Sequence, residues 1–151
     1  MAIWFKTYTL ADILPLRRNT MVEHLGIEIT EIGEDYLRGT MPVDARTRQT
    51  MGLLHGGASV ALAETLGSIA GSMVIDLSKQ SCVGLEINAN HLRAARSGIV
   101  TGTARPMSLG RSVHVWQTEI ADERGRPTCI SRLTLYILDR SAAAMTKPSG
   151  D

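Results

Sequence analysis

Two hydrophobic periods divide this chain. Ile27 and Ile29, then Leu37, Gly39, Met41 and Val43, alternate with polar residues, the period-2 pattern of strands with one buried face. Gly33-Glu34-Asp35 between them is turn-like, and the polar stretch from Asp44 to Met51 reads as a loop. The run LLHGGASVALAETLGSIAGSMVI, Leu53 to Ile75, predicts a helix from about Gly57 to Ile75. Beyond it, Ser81 to Leu92, Ile99 to Arg105, Ser112 to Ile120 and Thr128 to Leu138 are rich in Val, Ile, Thr and Leu and predict four strands. Gly98, Pro106 to Gly110 and Asp122 to Gly125 separate them, the last as a hairpin turn. Upstream, Thr9 to Asn19 predicts a short helix with Thr9 as N-cap and Asp12 three residues on. Pro15 sits near its first turn or kinks it.

The predicted order is helix, two strands, one long helix, four strands. No helix intervenes between the last strands, so their connections are short and the sheet is antiparallel. The expectation is an α+β fold: a curved antiparallel sheet of about six strands wrapped around one long central helix. A length of 151 residues fits a single domain over 1–151, with a frayed tail at 139–151. Sixteen Lys and Arg against fifteen Asp and Glu leave a net charge of +1, which argues against a general nucleic-acid or membrane-surface binder. Two cysteines, Cys82 and Cys129, make no disulfide framework and fit a reducing compartment. The N-terminus has no signal-peptide apolar core, so the expected location is cytoplasmic. Cys82, Cys129 and Trp116 read as core residues, and His24 and His114 as surface or half-buried ones.

The central helix carries the oddities. Small residues crowd it, and glycine inside a helix costs up to about 1 kcal/mol. Gly67 and Gly71 therefore imply close approach of a sheet or a partner helix. Glu64 is the one charged residue between Leu53 and Ile75. It makes a membrane-spanning reading poor. A buried carboxylate is retained when it is paired, partly solvated or working. Two readings stand side by side: a structural carboxylate bonded to Thr65 or Ser68, or a functional one. Ser68 follows by one turn on the same face. His55-Gly56-Gly57 precedes the helix, where N–H groups lack intrahelical partners and carry partial positive charge. Glycine there lets a ligand oxygen approach the backbone, either as an oxyanion site or simply as a helix entry. An amide donor at one end and a carboxylate two turns on suit acyl transfer. Val60, Leu62, Leu66, Ile69 and Met73 either line an acyl pocket or fill the core. Arg93, Arg96, Arg105 and Arg111, with His91, suit phosphate groups; a solvated strand edge is the plainer reading of any one of them. No GxSxG elbow, P-loop, GxGxxG or metal-ligand spacing occurs.

The run MPVDARTRQTMGLLHGGASVALAETLGSIAG followed by VGLEINANHLRAARSGIVTGTARPMSLGRSVHVWQTEI resembles hotdog-fold acyl-CoA thioesterases of the phenylacetate-type superfamily. The nearest branch contains the 1,4-dihydroxy-2-naphthoyl-CoA hydrolases and the enterobactin-pathway proofreading thioesterases. The likeness runs from about Met21 to Leu138, with HGGAS, then AE, then NANH as its signature.

The resemblance implies hydrolysis of an acyl-CoA, with an aromatic acyl group, to free acid and CoA, without cofactor or metal. Glu64 matches the catalytic carboxylate, as nucleophile or general base. Gly56 matches the residue whose N–H polarises the thioester carbonyl. Gln49 and His55 match polar residues near the reacting centre, and Ser68 a position beside the acyl group. Gly84, His91, Leu92, Arg93 and Ala94 match segments that contact CoA, as do Ser108, Leu109, Gly110, Arg111, Ser112 and Val113. Ala94 and Ser112 depart from the pattern of close relatives, and Ala94 lacks a hydroxyl near the nucleotide. The family assembles as dimers that associate into a homotetramer, each site taking Gln49 and Gly56 from one chain and Glu64 and Ser68 from the other. The rivals are a non-catalytic acyl-CoA-binding protein and a hotdog dehydratase. Neither nucleic acid nor membrane is an expected partner.

Overall fold

A computed structural model of the chain describes residues 1–140. The expected frayed tail lies outside the described residues from residue 141 on. Near the N-terminus, the Asp12 carboxylate accepts from the Thr9 N–H and hydroxyl, both at 2.7 Å. This starts α1 (Leu10–Ile13) as a capping box. The helix expected to run to Asn19 is shorter. Pro15 has no N–H to extend the ladder, and the chain tightens into a 3-10 turn, Leu14–Arg17. Asn19 then takes a positive φ of 56° and leads into a second short helix, α2 (Met21–His24).

The strands fall close to their predicted places: β1 (Glu28–Ile32), β2 (Leu37–Pro42), β3 (Gln80–His91), β4 (Ile99–Leu109), β5 (Val113–Ala121) and β6 (Pro127–Asp139). They form one antiparallel sheet in the order β1-β2-β4-β5-β6-β3. Between β2 and β3 the chain crosses from one side of the sheet to its far edge through α3 (Gly56–Met73). Pro106 was expected to end a strand, but β4 continues past it to Leu109. A register shift between Pro106 and Ser108 accommodates a residue that cannot donate to the ladder.

The α+β class, the six antiparallel strands and the single long helix agree with expectation; the wrapping of the sheet around the helix does not. The sheet is open and not strongly curled, with β1 and β3 as unpaired edges. It covers only one side of α3. Leu62, Ala63, Leu66, Ala70 and Met73 are buried against Val100, Ala104, Trp116, Ile120, Leu133 and Leu135. Burying each large apolar side chain there contributes about 2 kcal/mol. The opposite stripe, Val60, Ala61, Glu64, Thr65, Ser68, Ile69 and Ser72, stays half-buried. A sheet curled around the helix would have sealed it.

The helix glycines have the predicted cause, and the sheet is the close neighbour. A Cβ on Gly67 would lie 2.6 Å from Leu133 Cδ2, and one on Gly71 2.2 Å from Leu135 Cδ1. His114 departs from expectation and is buried. On β5 the inward positions are His114, Trp116, Thr118 and Ile120, so the strand's valines face out. Burial lowers the His114 pKa, favouring the neutral imidazole. Cys129 and Trp116 are core residues as expected, while Cys82 is only half-buried. Among the described residues, no helix is long and apolar enough to cross a membrane.

Candidate active site

The first turn of α3 is anchored from outside the helix. The His55 N–H donates to the Thr47 carbonyl and the Leu54 N–H to the Ala95 carbonyl, each at 2.8 Å. Thr47 is itself buried, its hydroxyl donating to the Pro42 carbonyl at 2.7 Å. His55 is the N-cap: its Nδ1 accepts from the Gly57 N–H at 2.8 Å. One first-turn donor is thus satisfied by a side chain, which leaves Gly56 at the helix's positive end. A Cβ on Gly56 would lie 2.7 Å from His91 Nε2, so only glycine allows the imidazole this close to the backbone. Gln49 is held nearby by its N–H bond to the Leu53 carbonyl at 2.8 Å, and its Oε1 accepts from the Met51 N–H. A cavity of about 370 Å³ gathers Gln49, Gly56, His91, Leu92, Arg93 and Ala94.

Glu64 opens on different surroundings. It lines a cavity of about 490 Å³ with Thr65 and Ser68; Ile13, Leu14, Val22, Ile27, Ile29 and Ile69 form much of its apolar wall. Burial raises the Glu64 carboxyl above its ordinary pKa, because an apolar surround disfavours the charged form. From β3, Gly84 approaches the same carboxylate: a Cβ there would lie 2.7 Å from Glu64 Oε1. The glycine thus leaves room for the carboxylate. The Thr65 hydroxyl donates to the Ala61 carbonyl at 2.7 Å, so it serves the helix backbone. Of the apolar residues open to either reading, Leu62, Leu66 and Met73 are core and Ile69 is cavity wall.

The candidate residues therefore form separate groups. Gly56 and Glu64 are eight residues apart on one helix, roughly 12 Å along its axis. Their neighbours on β3, His91 and Gly84, are seven residues apart, roughly 23 Å along a strand. The turn from Ser108 to Val113 is separated from the His91 group in the same way. Val113 pairs opposite Tyr136, whereas His91 pairs opposite Cys129, seven residues and roughly 23 Å away along β6. Within one chain, then, the N–H of Gly56 and the carboxylate of Glu64 do not face a common carbonyl. Of the expected CoA-contacting residues, His91 lies at the far end of the sheet from the Ser108–Val113 turn, whereas Gly84, opposite Leu135, lies level with that turn. Of the expected phosphate-binding arginines, Arg105 is engaged elsewhere, pairing with Asp35 at 2.5 Å.

Sequence reasoning did not find the N-terminal wall of the Glu64 cavity, to which Leu10, Ile13, Leu14, Leu16, Arg17 and Val22 contribute. The signal was there: several large apolar residues on two helical pieces too short to need them for a core of their own.

Comparison with known proteins fits this layout. Residues 51–129 match the family model described as the thioesterase superfamily. The chain is 52% identical over 136 residues to the 1,4-dihydroxy-2-naphthoyl-CoA hydrolase of Escherichia coli, covering 90% of this chain and 99% of that protein. It is 50% identical over 136 residues to the proofreading thioesterase EntH of Cronobacter turicensis, covering 90% and 98%. The crystal structure of a thioesterase from Haemophilus influenzae superposes with a TM-score of 0.88 at 53% identity, covering 91% of this chain and 95% of that one. Identity at this level over nearly the whole chain settles the family: this chain belongs to the thioesterase superfamily, as a hotdog-fold acyl-CoA thioesterase.

Proposed function

We propose that the enzyme hydrolyses an aromatic acyl-CoA at a site completed by a second copy of the chain. The observation that carries this reading is the half-buried Glu64 facing a largely apolar cavity of about 490 Å³, within the size range of small-molecule sites. The similarity to a dihydroxynaphthoyl-CoA hydrolase supports an aromatic acyl group. In this scheme the thioester oxygen lies at the Gly56 N–H, with Gln49 and His55 beside it, and the dipole at the start of α3 stabilises the charge that develops there. Glu64 either attacks the carbonyl carbon, expelling CoA thiolate and leaving an anhydride for water to cleave, or takes a proton from the water that attacks. A carboxyl made more basic by burial suits the second role. Ser68 borders the acyl group. Gly84, His91 to Ala94 and Ser108 to Val113 receive CoA.

The separation within one chain supports a shared site. Strand β3 is an edge, with Val83 46% and Leu85 58% exposed, and an edge of this kind is ready to pair with another strand. An antiparallel pairing of two β3 strands about a twofold axis between Ile87 and Asn88 sets Gly84 opposite the partner's His91. Glu64 of one subunit then meets the partner's Gly56. Association of such dimers into a tetramer, and a cytoplasmic location, complete the proposal.

The test is thiol release from a panel of aromatic and aliphatic CoA esters. Wild type is expected to prefer aromatic esters, and Glu64→Gln to lose about 10³-fold in turnover while still binding CoA ester. Equal release by both would remove Glu64 from the chemistry. Co-refolding Glu64→Gln with Gly56→Ala in equal amounts tests the shared site. Half the dimers are then hybrids with one fully intact site, so about a quarter of wild-type activity returns. No recovery would place donor and carboxylate in one subunit.

A further inference from the structure

The cavity beside Glu64 is apolar around most of its wall but also carries charge. Arg17, the last residue of the 3-10 turn, and Glu28, the first of β1, both line it. The Thr20 hydroxyl donates to the Arg17 carbonyl at 2.6 Å, fixing the backbone from which the side chain departs. That side chain is folded in and only 26% exposed, whereas Glu28 is 61% exposed. Arg17 Nη1 lies 3.5 Å from Glu28 Oε1, within ionic reach but longer than a good hydrogen bond. Arg17 Nε is buried with no hydrogen-bond partner among the described residues. A guanidinium presents five N–H donors in a rigid fork, and this one lines the cavity with Nε unpartnered and Nη1 held only by the long contact to Glu28.

We propose that Arg17 is a specificity-determining residue of this enzyme, selecting acyl groups that carry an acceptor oxygen remote from the thioester. The inference rests on the assignment of the Glu64 cavity to the acyl group. An acyl group of plain hydrocarbon covers the guanidinium and gives it nothing, and leaving a buried donor unpaired is costly. An oxygen on the far side of an aromatic ring gives the fork a partner while the ring fills the apolar wall. A hydroxyl also has a proton to offer Glu28. The pair thus distinguishes a ring hydroxyl from a ring hydrogen through contacts far from the reacting carbonyl, and it leaves the chemistry to Glu64.

The experiment compares kcat/KM for benzoyl-CoA and its three monohydroxy isomers. Wild type is expected to prefer at least one isomer over benzoyl-CoA. Arg17→Met is expected to lower that ratio about tenfold. Glu28→Gln removes the carboxylate but leaves the fork, so much of the preference is kept. A ratio that Arg17→Met leaves unchanged, including an equal loss on both esters, overturns the proposal. So does a preference that survives Arg17→Met and vanishes in Glu28→Gln. Thiol release by wild type with no preference for any isomer overturns this inference alone. No release from any ester overturns the hydrolase reading with it.

Discussion

The first turn of α3 and its middle both use glycine, for opposite reasons. At the first turn, Gly56 faces a cavity, and its missing Cβ leaves the backbone open beside His91. In the middle, Gly67 and Gly71 are buried, and their missing Cβ atoms let Leu133 and Leu135 of the sheet come close. In the proposed function the first glycine serves a ligand, whereas the other two serve packing. The lone carboxylate lies between them in sequence, turned toward the side of the helix that the sheet leaves uncovered. A single helix thus carries its candidate site residues on one side and at one end, and its packing against the sheet on the other side.

Gly56→Ala should break this contrast with the largest effect. Alanine is at least as good as glycine at a helix start, so thermal unfolding should hold near wild type. The new Cβ at 2.7 Å from His91 Nε2 displaces the imidazole and narrows the approach to the backbone donor. If that donor polarises the thioester, turnover falls about 10²-fold, the usual loss when one such contact is disturbed. His91→Ala in the same chain vacates the space and should return part of it. Turnover unaffected by Gly56→Ala would make this glycine an ordinary helix entry.

Much of this was legible in the sequence because it is local. Strand alternation, the Thr9–Asp12 capping box, the helix from HGG onward and the isolation of Glu64 each depend on residues a few positions apart. What was not legible depends on register and on distant chain. On β5, Trp116 reads as core and His114 as surface or half-buried, yet the ladder turns both inward. A one-residue choice of face is set by pairing with β4 and β6, not by β5 alone. The open sheet was missed because a run of amphipathic strands does not say how far they curl. The wall of the Glu64 cavity was missed because it arrives from the N-terminal segment. The candidate site residues were named, but their separation within one chain is a fact of strand register that spacing along the sequence conceals.

The packing half of the comparison predicts a loss of stability. Gly71→Ala gains up to about 1 kcal/mol in helix propensity but sets a Cβ 2.2 Å from Leu135 Cδ1 and 3.5 Å from Trp116 Nε1. Overpacking of this kind costs about 1–3 kcal/mol, so the net should be a destabilisation of about 1–2 kcal/mol in chemical denaturation. Gly67→Ala, with its nearest contact at 2.6 Å, should cost somewhat less. If either variant is more stable than wild type, the core beneath α3 is looser than its burial indicates, and the contrast between the two kinds of glycine fails.

The smallest effect concerns the carboxylate itself and has the opposite sign. Burial raises the Glu64 carboxyl above its ordinary value of 4.5, so the folded protein holds this proton more tightly than the unfolded chain does. Its favourable contribution is full below the unfolded value and is lost as pH rises through the folded one. Near neutral pH the ionised carboxylate is therefore a burden on the fold. Glu64→Gln keeps the shape and removes the charge, and it should raise the unfolding midpoint modestly at pH 7. The gain should shrink as pH falls toward 4.5, where wild type carries a neutral acid at the same place. Unfolding curves for the two proteins across this range measure it directly. A variant stabilised at pH 7 yet nearly inactive would show a residue kept for its chemistry at the expense of the fold. A variant destabilised at pH 7 would mean that Glu64 has found a compensating partner, and the carboxylate would then belong with Gly67 and Gly71 among the features that hold the helix in place.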